Sequence, residues 1–160
     1  MYPGTYYNVY VLPHLKIWGN CTSVMEDKLV KLPKRAARAI LDVGFTVPPE
    51  TMFTQLKWMT LTERVVYHKS IQVHTTVCGD APDYLKNDFV FTSEIHSRLL
   101  RSSSNFQLYT PRPNTELCRN LLICSCTSIW NYIPEYIKTT PSVKQFKSLY
   151  LRWFKQSSEN

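Results

Sequence analysis

Glycine is scarce in this chain, with four residues in 160 against ten prolines. That excludes a Gly-rich phosphate loop and a dinucleotide-binding fingerprint, both of which need glycine where the backbone approaches the ligand. No glycine stands in the G-x-S-x-G setting of a nucleophile elbow. No apolar run approaches the roughly 20 residues of a membrane span, so nothing is expected to cross a bilayer and no membrane partner is expected. The opening residues Met1–Thr5 lack the basic start and apolar stretch of a secretory signal. The chain is therefore expected to be intracellular, nuclear or cytoplasmic, and not secreted. On that footing the Asn20-Cys21-Thr22 glycosylation triplet carries no meaning.

The cysteines Cys21, Cys78, Cys118, Cys124 and Cys126 are odd in number, as expected of free thiols in a reducing compartment. Cys118, Cys124 and Cys126 follow a C-x5-C-x-C pattern, without the spacing of a tetrahedral zinc site. His68 and His74 fall on different faces of a helix, and His14 and His96 are isolated. The neighbours Glu26 and Asp27 point to different sides of a helix, so they do not form an acid/base pair. No cofactor, no metal site and no small-molecule substrate is expected, and the chain is not expected to be an enzyme on its own.

Hydrophobic residues make up 44% and aromatics 13%, enough for a packed core and unlike a disordered chain. The net charge is +7, and it is unevenly placed. Residues 1–47 carry six cations and three acids, residues 48–100 five and six, and residues 101–160 eight and three. Both ends are basic and the middle is near neutral, which favours an acidic partner, nucleic acid first.

The pattern predicts a mainly α chain: a helical bundle, a C-terminal helical extension and at most one short β-hairpin. Ser23 and Glu26 form a capping-box pair opening a helix that runs toward Asp42 and stops near Gly44. Its apolar set is Met25, Leu29, Leu32, Ala36, Ile40 and Val43, with a kink or break expected at Pro33. After Val47-Pro48-Pro49, a short helix from Glu50 to Trp58 buries Met52, Phe53 and Leu56. Thr60 and Glu63 open another helix reaching Cys78 and stopping at Gly79, apolar on two sides (Val66, Val73, Val77 and Tyr67, Ile71) and so expected to be central. Asp80-Ala81-Pro82 opens a short helix over Tyr84 and Leu85.

The Ser-rich stretch Thr92–Asn105 reads as a loop, and Phe106–Tyr109 as a short strand entering a turn. Leu121–Cys124 fits either its pairing strand or the middle of a helix. Ser128–Ile133 reads as a helical turn ended by Pro134. Thr140-Pro141 opens the last helix, with Val143, Phe146, Tyr150, Trp153 and Phe154 inward and Lys144, Lys147, Arg152 and Lys155 outward.

What exceeds background is cations interleaved with aromatics. Lys28, Lys31, Lys34, Arg35 and Arg38 form a helix stripe, offset locally only by Asp27 and Asp42. Together with Arg98, Arg101 and Arg112 they are the candidate nucleic-acid contacts, because Lys and Arg neutralise phosphates and release counterions. The competing reading of the stripe is a solvated helix face, and of Trp18, Trp58, Trp130 and Trp153 a place in the core.

Several phrases carry a resemblance: Tyr7–Leu15 (YNVYVLPHL), Trp18–Asn20 (WGN), Leu29–Leu41 (LVKLPKRAARAIL), Leu56–Arg64 (LKWMTLTER), Tyr109–Pro113 (YTPRP) and Ile129–Pro134 (IWNYIP). In order and spacing, from about Tyr6 to Phe154, they resemble the C-terminal part of jockey-like non-LTR (LINE-type) retrotransposon reverse transcriptases. The resemblance implies that residues 1–47 are the end of a thumb-like helical region and residues 48–160 a C-terminal helical extension. It implies that the Lys28–Arg38 stripe lies against the backbone of an RNA–DNA or DNA duplex. The family's catalytic palm, with its Tyr-x-Asp-Asp loop, would be a separate partner, since no two aspartates are adjacent in this sequence. Two other readings stay open: a free-standing helical protein-interaction module, and a transposon relic without function.

Overall fold

A computed structural model describes residues 23–95, 106–112, 114–115 and 122–158. The described residues are mainly helical, with no strand among them. Eight helices follow in order: α1 (Ser23–Leu41), α2 (Pro49–Leu56), α3 (Leu61–Val77), α4 (Asp83–Lys86), α5 (Thr92–Ile95), α6 (Leu122–Tyr132), α7 (Glu135–Lys138) and α8 (Val143–Ser158). The chain divides into two compact units, 1–68 and 69–160, the division falling inside α3.

In the first unit α1 packs on α2. Ala37, Met52 and Phe53 are buried together, with Leu41, Val43, Val47, Leu56 and Trp58 against them. Leu61 seats a neighbouring cluster of Leu29, Val30, Ala36, Trp58 and Val65. The helix runs unbroken through Pro33, so no break occurs there. Pro33 is itself buried, and its ring adds apolar surface while its missing N–H leaves the Leu29 carbonyl without its helical donor. The buried face is also turned from the expected one. At roughly 100° per residue, Pro33, Ala37 and Leu41 lie beside the Leu29–Ala36–Ile40 line, and Leu32 on its far side is 42% exposed.

The helix stops follow one geometry. Lys57 closes α2 in the left-handed region (φ 54, ψ 37), with Trp58 N–H donating to the Phe53 carbonyl at 2.8 Å and Lys57 N–H to that of Thr54 at 3.1 Å. Gly79 (φ 89) closes α3 in the same way, with Asp80 N–H on Thr75 at 3.0 Å and its own N–H on Thr76 at 3.2 Å. These are Schellman motifs. α1 ends at Asp42 (φ 52) rather than at Gly44. The start of α3 is the expected capping box: Thr60 N–H donates to Glu63 Oε2 at 2.8 Å and Glu63 N–H to Thr60 Oγ1 at 3.3 Å. The Ser23–Glu26 box rests on side chains outside the described residues.

The second unit is built round Trp130, which is fully buried. Its ring stacks with Phe146 at 6.2 Å, and Phe146 packs on Tyr150 at 5.8 Å. The Trp130 Nε1–H donates to the Phe106 carbonyl at 2.8 Å, and the Lys138 ammonium lies 5.8 Å from the indole centre. α3 enters this core with Ser70, Val73, His74 and Thr76 buried, so its inner face is half polar and not the two-sided apolar surface expected.

Three local expectations are corrected. Phe106–Tyr109 is no strand but makes one antiparallel bridge, Phe91 to Leu108, and no hairpin forms among the described residues; of the two readings open for Leu121–Cys124 the helix holds, within Leu122–Tyr132. Thr92–Ile95 is a helical turn instead of loop. α8 begins at Val143, not at Pro141, with Ser142 as its cap: Ser142 Oγ accepts from Lys144 N–H at 3.3 Å.

Candidate nucleic-acid interface

Of the five cations of α1, Lys28, Lys31 and Arg35 lie across the helix from its buried face, while Arg38 and then Lys34 approach its Leu41 edge. Lys28, Lys31 and Arg35 are exposed, whereas Lys34 and Arg38 are half-buried at the margin. The guanidinium of Arg38 lies 5.0 Å from the centre of the Phe45 ring, a cation–π contact. Its Nε is buried without a hydrogen-bond partner, so Arg38 is committed partly to packing. Among the described side chains the one ion pair is Lys86–Asp83 at 2.9 Å, and none of the five is in an ion pair with another of them. Arg112 is exposed in the second unit. Arg98 and Arg101 lie outside the described residues, as do Trp18, Cys21 and Cys118.

Two polar clusters in the second unit were not foreseen, because each joins residues far apart in sequence. In the first, the Nε2–H of buried His74 donates to the Thr140 carbonyl at 2.9 Å, which fixes the tautomer since a carbonyl only accepts. The imidazole stacks on Phe146 at 4.2 Å. Burial pushes its pKa down, while the Thr140 hydrogen bond and Asp80 pull it up. Cys78 Sγ lies 3.5 Å from Nε2 and 3.7 Å from Nδ1. Near-equal distances place the sulfur over the ring face, because an in-plane sulfur equidistant from both nitrogens would collide with Cε1. Burial and Asp80 push the Cys78 thiol up. This pair is therefore not an activated nucleophile and base.

In the second cluster the Lys69 ammonium donates to Ser125 Oγ at 3.1 Å. Burial lowers the Lys69 pKa, opposed by Cys126. Burial pushes the Cys126 thiol up to about 11, against the pull of Lys69 and Ser125, which leaves it protonated and inert at neutral pH. The arrangement satisfies a half-buried lysine. Among the described residues no three His, Cys, Asp or Glu side chains are placed to hold a metal ion, and no helix is long and apolar enough to cross a membrane.

Charge on solvent-facing helices is thus the feature with chemical reach: the exposed cations of α1 and α8 are in no ion pair with another described side chain. Comparison of the chain with protein-family descriptions, with curated proteins and with solved structures gives no match.

Proposed function

We propose that this chain binds nucleic acid through the phosphate backbone, with Lys28, Lys31 and Arg35 of α1 as the principal contacts and Lys34 and Arg38 at their edge. The observation that carries the reading is the exposure of three cations on the face of α1 turned from the core, none in an ion pair with another described side chain. The resemblance to the C-terminal part of a non-LTR retrotransposon reverse transcriptase supplies the ligand, a template–primer RNA–DNA or DNA duplex. In that setting the chain positions nucleic acid and leaves nucleotide transfer to the metal-binding carboxylates of a separate palm.

The test is fluorescence anisotropy of the full chain with an RNA–DNA hybrid and with duplex DNA over a range of salt. Binding at micromolar or lower Kd is expected, without primer extension. Replacing Lys28, Lys31 and Arg35 by alanine should reduce the salt slope by about 3, at roughly 0.9 per phosphate contact. An unchanged slope would sink the assignment of α1. A second reading, a protein-docking face, draws on Phe45 (87% exposed) and Leu32. It gains if a helical, folded sample binds no nucleic acid.

A further inference from the structure

We propose that the second unit carries a separate site for single-stranded nucleic acid, with bases stacking on Tyr132 and Trp153 and phosphates held by the cations of α8. This rests on the nucleic-acid reading and adds a ligand form and a site to it.

Tyr132, at the end of α6, is 77% exposed although its ring is in contact with Trp153 at 5.9 Å. Trp153 is half-buried and is fixed from behind by an edge contact at 5.5 Å to Tyr150, itself buried. An anchored indole beside an exposed phenol ring is a rigid platform with a free aromatic surface. Tyr136, just beyond on α7, is a further exposed ring.

The charge lies on the same helix. α8 contains four cations, Lys144, Lys147, Arg152 and Lys155, and no acid. All four are exposed and none is in an ion pair among the described residues. Going round α8 at roughly 100° per residue, the exposed arc runs through Lys147, Lys144, Lys155, Arg152, Gln145 and Gln156, and the nearest cations to Trp153 are Arg152 on one side and Lys147 on the other, with Lys144 and Lys155 across the helix. Cations followed by aromatics is the combination that holds a single strand, whose bases are free to stack. In a duplex the base faces are occupied by their neighbours, so the aromatic pair has nothing to take. The apolar arc of α8, Phe146 and Tyr150, is spent in the core, so the helix has no face left to insert into a bilayer.

The test uses the full chain and anisotropy with a labelled single-stranded oligothymidine and with duplex DNA, circular dichroism confirming that each variant is helical. Tyr132→Ala should weaken single-strand binding about tenfold, leave its salt slope unchanged and leave duplex binding alone, while Tyr132→Phe keeps wild-type affinity. Alanine at Lys147 and Arg152, the cations nearest Trp153 round the helix, should lower the single-strand salt slope by about 1.4, at roughly 0.7 per contact. Duplex binding with single-strand affinity indifferent to Tyr132→Ala would overturn this site and leave the α1 reading standing. Failure of both oligonucleotides would overturn the reading itself. Binding to phosphatidylserine vesicles through the same two cations, without oligonucleotide binding, would overturn the site in favour of a membrane surface.

Discussion

The side-chain amide of Asn131 pairs with both backbone groups of Leu108: Leu108 N–H donates to Oδ1 at 2.9 Å and Nδ2 donates to the Leu108 carbonyl at 2.8 Å. A side chain here takes the place that a neighbouring strand would fill. The segment is also tied by two backbone bonds, Tyr109 N–H to Val90 and Thr92 N–H to Gln107, both at 2.9 Å. Leu108 is almost wholly buried, so these pairings answer backbone groups that water does not reach.

Asn131→Ala should therefore cost about 2–3 kcal/mol, since it leaves a buried donor and acceptor unpaired together. Urea denaturation measures the loss, and amide exchange localises it: protection of the Leu108 N–H should collapse while that of Tyr109 persists longer. Equal protection of Leu108 in variant and parent would contradict the pairing.

Left-handed backbone at non-glycine helix stops is the next point of leverage. Lys57 (φ 54) and Asp42 (φ 52) pay the steric cost of a Cβ in that region. Lys57→Gly should raise stability by about 0.5–1 kcal/mol, the relief of strain exceeding the added freedom of the unfolded chain. Asp42→Gly should gain similarly, because it also removes an anion from the negative end of α1. Gly44→Ala should be near neutral, as a Cβ there meets only Thr46 Oγ1 at 3.9 Å. Thermal melts of the three variants make the comparison.

Acid should weaken the second unit through His74. Its pKa is below 6.5 in the fold, first by burial, and near 6.5 once unfolded. Between those values the unfolded chain binds a proton that the folded one refuses, so stability falls as pH drops below about 6.5 and levels off below the folded value. Denaturation midpoints at pH 7.5 and 5.5 should differ, and His74→Gln should shrink the difference. An undiminished difference would place the effect on other groups.

Trp130 tests the centre of the second unit. Trp130→Ala should cost about 3–5 kcal/mol. Trp130→Phe should cost less, about 2 kcal/mol, for lost volume and an unanswered Phe106 carbonyl. Both should blunt far-UV helicity less than cooperativity of unfolding.

The sequence made the long elements readable where local chemistry decides them: the Thr60–Glu63 box, the Gly79 stop, the inward Phe146 and Tyr150 of α8. It hid what depends on distant partners. Leu122–Cys124 is too short for its period to speak, and its helix is recognisable only with Trp130 in the core. The tilt of α1 toward Ala37 follows from Met52 and Phe53, which no pattern within α1 reveals. Among the candidate contacts, the stripe was legible as charge, but the division into exposed Lys28, Lys31, Arg35 and half-buried Lys34, Arg38 needed Phe45 beside it. The Tyr132–Trp153 pair left no signal, since an aromatic at the end of a short apolar run looks like core.

The reach of the His74–Thr140 hydrogen bond, 66 residues along the chain, has a consequence in time. Among the described residues the buried clusters of the first unit lie within residues 29–65, a stretch that is made before the second unit. His74 and its neighbours on α3 then wait for the rest. At about 5–20 residues per second, the interval before Thr140 is made is about 3–13 s, during which His74 has no Phe146 to stack on. Synthesis thus leaves the buried face of α3 without its partners for that interval, which is when a chaperone has most to hold.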